Sequence, residues 1–200
     1  MYISENLPVA GNAFIWVADL GPKTLENKTN AQILSKLIKE PYYSDLRTKQ
    51  QTGYIVHSNT FVAANKRLFL QTAVQSNTHD ARDLLSRTEL FFESWLRNLN
   101  NAELQERFDS VKTSMLARLK KPHDSMESKL RFQAHLAFDE DGDFSYLDKK
   151  IAHLESLTFE EWQPFALEKI GRDNPNRLAF LVEGNDPENT KFSYSMLAKL

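Results

Sequence analysis

The chain has 200 residues, 41% of them hydrophobic and 26% charged, with a formal net charge of -2. That length and composition suit one soluble domain with a real core and are too apolar for disorder. Scattered Lys and Arg form no basic stripe for nucleic acid, and the absence of cysteine excludes disulfides, thiol nucleophiles and Cys-ligated zinc while fitting the cytosol and the bacterial periplasm equally.

Residues 1–12 read as an irregular lead-in punctuated by Pro8 and Gly11. They lack the basic n-region and apolar h-region of a signal peptide. Ala13 to Ala18 is a continuous apolar run, the pattern of a short strand covered on both faces. It is also the longest such run, far short of a membrane span. From about Thr29, Ile33, Leu34, Leu37 and Ile38 fall at helical spacing. Pro41 interrupts the pattern, which Tyr42, Tyr43 and Leu46 carry on to Arg47. Tyr54 to Val62 and Arg67 to Gln75 read as two strands, and the short turn near Ala64-Asn65-Lys66 makes them an antiparallel hairpin.

Helices dominate the second half. Leu84, Thr88, Phe91, Phe92, Trp95 and Leu99 step by three or four over about Asp80 to Asn98. Leu104, Phe108, Val111, Met115 and Leu119 repeat the pattern until Pro122. Asp124 with Glu127 suggests a capping-box start for a third helix. An acidic turn, Asp139-Glu140-Asp141-Gly142-Asp143, precedes a short helix over about Phe144 to His153. Thr158 with Glu161 is a stronger capping box, opening a helix that carries Trp162, Phe165, Ala166 and Ile170. Leu178 to Val182 reads as a closing strand, and residues 185–200 as a C-terminal tail.

Strands and helices segregate rather than alternate. The order predicts a single α+β domain over residues 1–200, a two-layer sandwich in which helices pack on one face of a mainly antiparallel four-stranded sheet. Such a fold does not by itself specify a function.

A metal site is not expected. His57, His79, His123, His135 and His153 offer no pair at the spacing that aligns two imidazoles on one helical face. The acidic turn fails as a calcium loop, because Gly142 falls at the fourth position and Lys150 at the twelfth. No Gly-x-Ser-x-Gly elbow, spaced carboxylate pair or phosphate-binding glycine loop occurs. Phe91, Phe92 and Trp95 are explained by core packing.

One junction stands apart: Leu46-Arg47-Thr48-Lys49-Gln50-Gln51-Thr52-Gly53-Tyr54-Ile55-Val56, where a helix runs out into a strand. Arg47 is a permanently charged fork donor and Tyr54 a neutral hydroxyl donor, seven residues apart and able to converge on one carbonyl oxygen. Two ordinary readings stand beside this one: an Arg at a helix C-terminus and a Tyr on a half-buried strand.

The segment resembles the Leu-Arg-Thr-Lys-Glu-Gln-Leu-Gly-Tyr-Ile-Val signature of the insulin-degrading (M16, pitrilysin-type) zinc metallopeptidases. Glu40-Pro41, Gln75-Ser76, Arg118 to Pro122 and Leu154 to Glu161 resemble further family segments in the same order, so the likeness spans roughly residues 10–184. It implies an M16 or mitochondrial-processing-peptidase-like fold and the last of four related domains, the one without zinc. The zinc, on a His-x-x-Glu-His helix, is then expected in the catalytic domain of the complete enzyme, and this chain needs no cofactor of its own. By the same resemblance Arg47 and Tyr54 bind peptide substrate, with the zinc-bearing half of the same or a partner chain as the other partner, and no nucleic acid or membrane. Gly53 matches the family and permits close backbone approach, whereas Gln50 and Thr52 depart from its usual Glu and Leu. A stand-alone interaction module with the same fold is the alternative reading.

Overall fold

The computed structural model describes residues 2–8, 10–63 and 65–184. Strand β1 (Tyr2–Leu7) and strand β2 (Asn12–Pro22) lead into helix α1 (Leu25–Tyr43), which a π-helical segment, Ser44–Lys49, extends. Strands β3 (Ile55–Val62) and β4 (Arg67–Ser76) form the expected antiparallel hairpin. Five helices follow: α2 (Ala81–Arg97), α3 (Ala102–Lys120), α4 (Met126–Phe138), α5 (Tyr146–Ser156) and α6 (Phe159–Ile170). Strand β5 (Arg177–Gly184) closes the domain.

The sheet has the order β1-β5-β2-β4-β3 and is antiparallel except where β1 runs parallel to β5. The two-layer α+β architecture is the one expected. It carries a fifth strand because residues 2–7, expected to be part of an irregular lead-in, pair with the outer edge of β5. Ser4-Glu5-Asn6 offers no apolar alternation to reveal this. The strand forms because an open edge of unpaired backbone groups satisfies its own. The expected tail at 185–200 lies outside the described residues, as does Ala64 of the hairpin turn, in which Lys66 takes φ 56° and donates to the Ala63 carbonyl at 3.0 Å.

The apolar run in β2 is covered on one face only, not both. Phe14, Trp16, Ala18 and Leu20 are buried, while Ile15 on the opposite face is exposed. Trp16 stacks on Phe92 of α2 with ring centroids 4.6 Å apart. Phe91, Phe92 and Trp95 are all core residues, as their spacing predicts. The Thr158/Glu161 capping box forms in both directions, at 3.2 and 3.0 Å. The third helix is capped by Ser125 instead of Asp124, its hydroxyl accepting from the Ser128 N–H at 3.1 Å, while Glu127 pairs with Arg131. A carboxylate bound to an i+4 Arg is not folded back onto the cap.

The acidic turn is a lysine-binding hub. Glu140, itself buried, pairs with Lys23 at 3.1 Å and with Lys28, while Asp141 takes Lys66 and Asp143 takes Lys149. Nearby, Lys150 is buried between α5 and α1, donating to Gln32 Oε1 at 2.8 Å. Desolvation, helped by the Lys28 charge, pushes its amine down to about 8. The folded state therefore holds fewer protons than the unfolded chain between pH 8 and the ordinary lysine value. Stability contributed by Lys150 rises as pH rises through that window and is lowest, with the ammonium charged, at neutral pH. Lys150→Met is expected to stabilise the fold at pH 7 by about 1–3 kcal/mol. The gain shrinks toward pH 10, as urea unfolding at several pH values will show.

Among the described residues, no helix is long and apolar enough to cross a membrane.

Candidate functional site

Helix α1 continues as an α-helix through Pro41, then widens into a π-helical segment at Ser44–Lys49. The Ser44 N–H is shared between the Glu40 and Pro41 carbonyls. Leu46 is buried in the core and anchors the segment's inner side. Arg47, one residue on, is half-buried.

Three contacts shape the chain from Lys49 to Tyr54. Gln51 turns it through φ 53°. Thr52 is fully buried and donates twice to the Leu46 carbonyl, from its N–H and its hydroxyl, each at 3.0 Å. A threonine here thus replaces apolar packing with a satisfied buried hydroxyl. Gly53 lies against β4, where an added Cβ would stand 1.8 Å from the Gln75 carbonyl oxygen. The glycine is required by space, since its φ is not in the left-handed region.

These contacts bring Arg47 and Tyr54 together. Arg47 Nη1 donates to the Gly53 carbonyl at 3.0 Å, and its guanidinium carbon stands 5.0 Å from the Tyr54 ring centroid. Tyr54 is 84% exposed and sits just before β3, not within it. The pair forms a small outward-facing platform, a planar cation on an aromatic face. The Gly53 contact uses one of the five guanidinium N–H donors, which leaves capacity for a carbonyl or carboxylate brought from outside.

Sequence reasoning missed what holds the segment from behind. The Gln50 amide donates to Asp45 Oδ2 at 2.8 Å and accepts from Arg87 Nη1 at 2.8 Å. Arg87 Nε in turn bonds both carboxylate oxygens of Asp83 at 3.0 Å. Asp83 is fully buried, and burial pushes its carboxyl up to about 6 despite the Arg87 pairing. A neutral amide suits position 50 because it can serve a carboxylate on one side and a guanidinium on the other. A glutamate would face Asp45 as a like charge. The Asp83–Arg87 spacing of four is a visible helix pair, but no local pattern joins it to Gln50, 37 residues away.

The five histidines are dispersed, His57 on β3, His135 on α4, His153 on α5, and His79 and His123 in connections. His57 is exposed on β3, beside a cavity of about 600 Å³ that Tyr42, Tyr43 and Ser58 also line. His79 is partly buried, and desolvation lowers its pKa. His135 bonds Asp139 at 2.8 Å and approaches Glu140 at 3.2 Å. Among the described residues, no group of three or more His, Asp or Glu is arranged to hold a metal ion.

Comparison with known proteins agrees with this architecture. The family described as PQQ synthase PqqF-like, C-terminal lobe domain 4, matches residues 33–133, just over half of the chain. The A-factor-processing enzyme of Saccharomyces cerevisiae is 26% identical over 152 residues, 73% of this chain and 14% of that protein. The insulin-degrading enzyme of Drosophila melanogaster is 25% identical over 163 residues, 81% of this chain and 16% of that protein. This chain therefore spans only a small part of the length of these relatives. The crystal structure of pitrilysin superposes with a TM-score of 0.73 at 17% identity, covering 96% of this chain and 20% of that one. The chain belongs to the PqqF-like C-terminal lobe domain 4 family and is a C-terminal domain of the M16 peptidase type.

Proposed function

We propose that this chain is the substrate-binding, non-zinc C-terminal domain of an M16 zinc metalloendopeptidase, and that Arg47 and Tyr54 grip the peptide backbone beside a metal carried on another domain. The observation that carries this reading is the outward-facing Arg47–Tyr54 platform on a rigidly held junction. The sheet face away from the helices supports it further. There Ile3, Phe180 and Ile15 stand in one cross-strand row, each partly exposed, giving an apolar wall against which an extended peptide can lie.

Zinc bound on the other domain would supply Lewis-acid activation of water. The part left to this chain is electrostatic. Negative charge grows on the scissile carbonyl oxygen as its carbon becomes tetrahedral, and preorganised N–H and O–H donors stabilise that oxyanion more than they stabilise the ground-state carbonyl. Arg47 brings a full positive charge, and Tyr54 a neutral donor that does not compete for the metal.

The test is reconstitution. Mixed with a zinc-bearing half of the enzyme, the chain restores peptide cleavage, and the same mixture with the Arg47→Ala chain does not. Cleavage that is indifferent to Arg47 and Tyr54 overturns the substrate-gripping role. If the chain binds the zinc-bearing half without cleavage, the domain is an interaction module. Alone, the purified chain is expected to retain less than stoichiometric zinc by elemental analysis after dialysis against micromolar zinc, and to cleave no peptide.

A further inference from the structure

We propose that Arg87 is a positioning residue for Arg47, acting from α2 through the Gln50 amide. This inference rests on the substrate-gripping reading of Arg47 and deepens it.

Arg47 sits in the middle of a six-residue π-helical segment, a wide turn that is seldom stable without outside support. Its two ends are bridged by one side chain. Gln50, just past the segment, donates to the Asp45 carboxylate near its start at 2.8 Å, and its own N–H bonds the Asp45 carbonyl at 2.9 Å. The remaining amide oxygen is taken by Arg87 Nη1. This is a side-chain bond from another helix to the residue that closes the segment. Arg87 is itself immobilised, buried and held through Nε on both oxygens of a fully buried Asp83. The Asp83–Arg87–Gln50–Asp45 series thus ties the turn that carries Arg47 to the rigid core helix α2.

The chemistry explains why each member is the residue it is. A guanidinium can hold a carboxylate at Nε and still project Nη1 to a second acceptor at fixed geometry, which a lysine cannot do. A primary amide has one donor end for Asp45 and one acceptor end for Arg87. Supporting groups of this kind matter because a reacting group displaced by about 1 Å can lose about 100-fold in rate.

The experiment is a double-mutant cycle on peptide hydrolysis by the intact enzyme. Gln50→Ala breaks the tie while leaving the buried Asp83–Arg87 pair intact. It is expected to lower kcat by about 10- to 100-fold with a smaller change in KM. In an Arg47→Ala background the same substitution is expected to cost less than about 3-fold, because a support has no effect once the group it positions is gone. Arg87→Ala is expected to show the same coupling to Arg47. If it fails to fold, the Gln50→Ala cycle decides alone. Equal losses from Gln50→Ala in both backgrounds, or no loss in either, overturn the positioning role. Normal turnover of Arg47→Ala itself overturns the substrate-gripping reading instead, so the two failures are distinguishable.

Discussion

Replacing Arg47 with alanine in the intact enzyme is expected to lower kcat/KM by about 100- to 1,000-fold, or ~3–4 kcal/mol of transition-state stabilisation. On the proposed substrate-gripping role, the size follows from what is removed, a permanently charged donor that would face an oxygen becoming anionic only during reaction. Arg47→Lys is expected to recover only part of the loss. A lysine keeps the charge but cannot both bond the Gly53 carbonyl and present a planar fork outward. Tyr54→Phe tests the second donor, since the ring that supports Arg47 stays and only the hydroxyl goes. Its expected loss is smaller, about 10- to 100-fold, because a neutral donor stabilises an anion less than a charged one. Steady-state kinetics on a fluorogenic peptide measures all three. Arg47→Ala is expected to leave the core intact, because the half-buried guanidinium packs against the exposed Tyr54 and the Gly53 carbonyl and lies outside the core cluster. Its melting temperature is expected to stay within a few degrees of wild type.

Gly53→Ala is expected to do the opposite, damaging the fold first and activity as a consequence. A Cβ at this position would lie 1.8 Å from the Gln75 carbonyl oxygen and 2.9 Å from its carbonyl carbon. Both are backbone atoms of β4, a strand paired on both sides, so neither can rotate out of the way. The junction must lift off the sheet, taking the start of β3 and Tyr54 with it. A loss of about 3 kcal/mol or more is expected, in the range of severe overpacking. Gly142→Ala is the matched control. It stands at φ +75° with nothing within 4 Å of the added Cβ, so only backbone strain of about 1 kcal/mol opposes it. Urea denaturation of the two variants compares steric exclusion with conformational strain in one protein. If Gly53→Ala unfolds at the wild-type midpoint, the close approach of the junction to β4 is wrong.

Much of this molecule could be read along the chain. Periodic apolar residues marked α1, α2, α3 and α6, and the Thr158/Glu161 box marked the start of the last of these. Both signals are local. A helix repeats every 3.6 residues and its cap lies within one turn, so neighbours in sequence settle the matter. The hairpin was legible for the same reason, because a short turn leaves two strands little choice but to pair. Arg47 and Tyr54 were visible as two donors seven residues apart, but the close packing of Gly53 on β4 that helps bring them together is a tertiary contact.

The remaining features depend on contacts between distant segments. Residues 2–7 carry no strand pattern and became β1 only because β5, more than 170 residues later, offered an edge. The apolar run in β2 read as covered on both faces, but helices pack on one side only, and the pattern of a strand cannot report what its neighbours leave open. In the sequence, Gln50 stands out only as a departure from the family's usual Glu. The fold makes it a bridge between Asp45 and an arginine on another helix. By itself, then, the sequence determined the helices and the hairpin, which rest on short-range periodicity, capping and a short turn. Tertiary structure alone decided the fifth strand, the uncovered sheet face and the support behind Arg47, because each requires hydrogen-bonding groups far apart in the chain to meet.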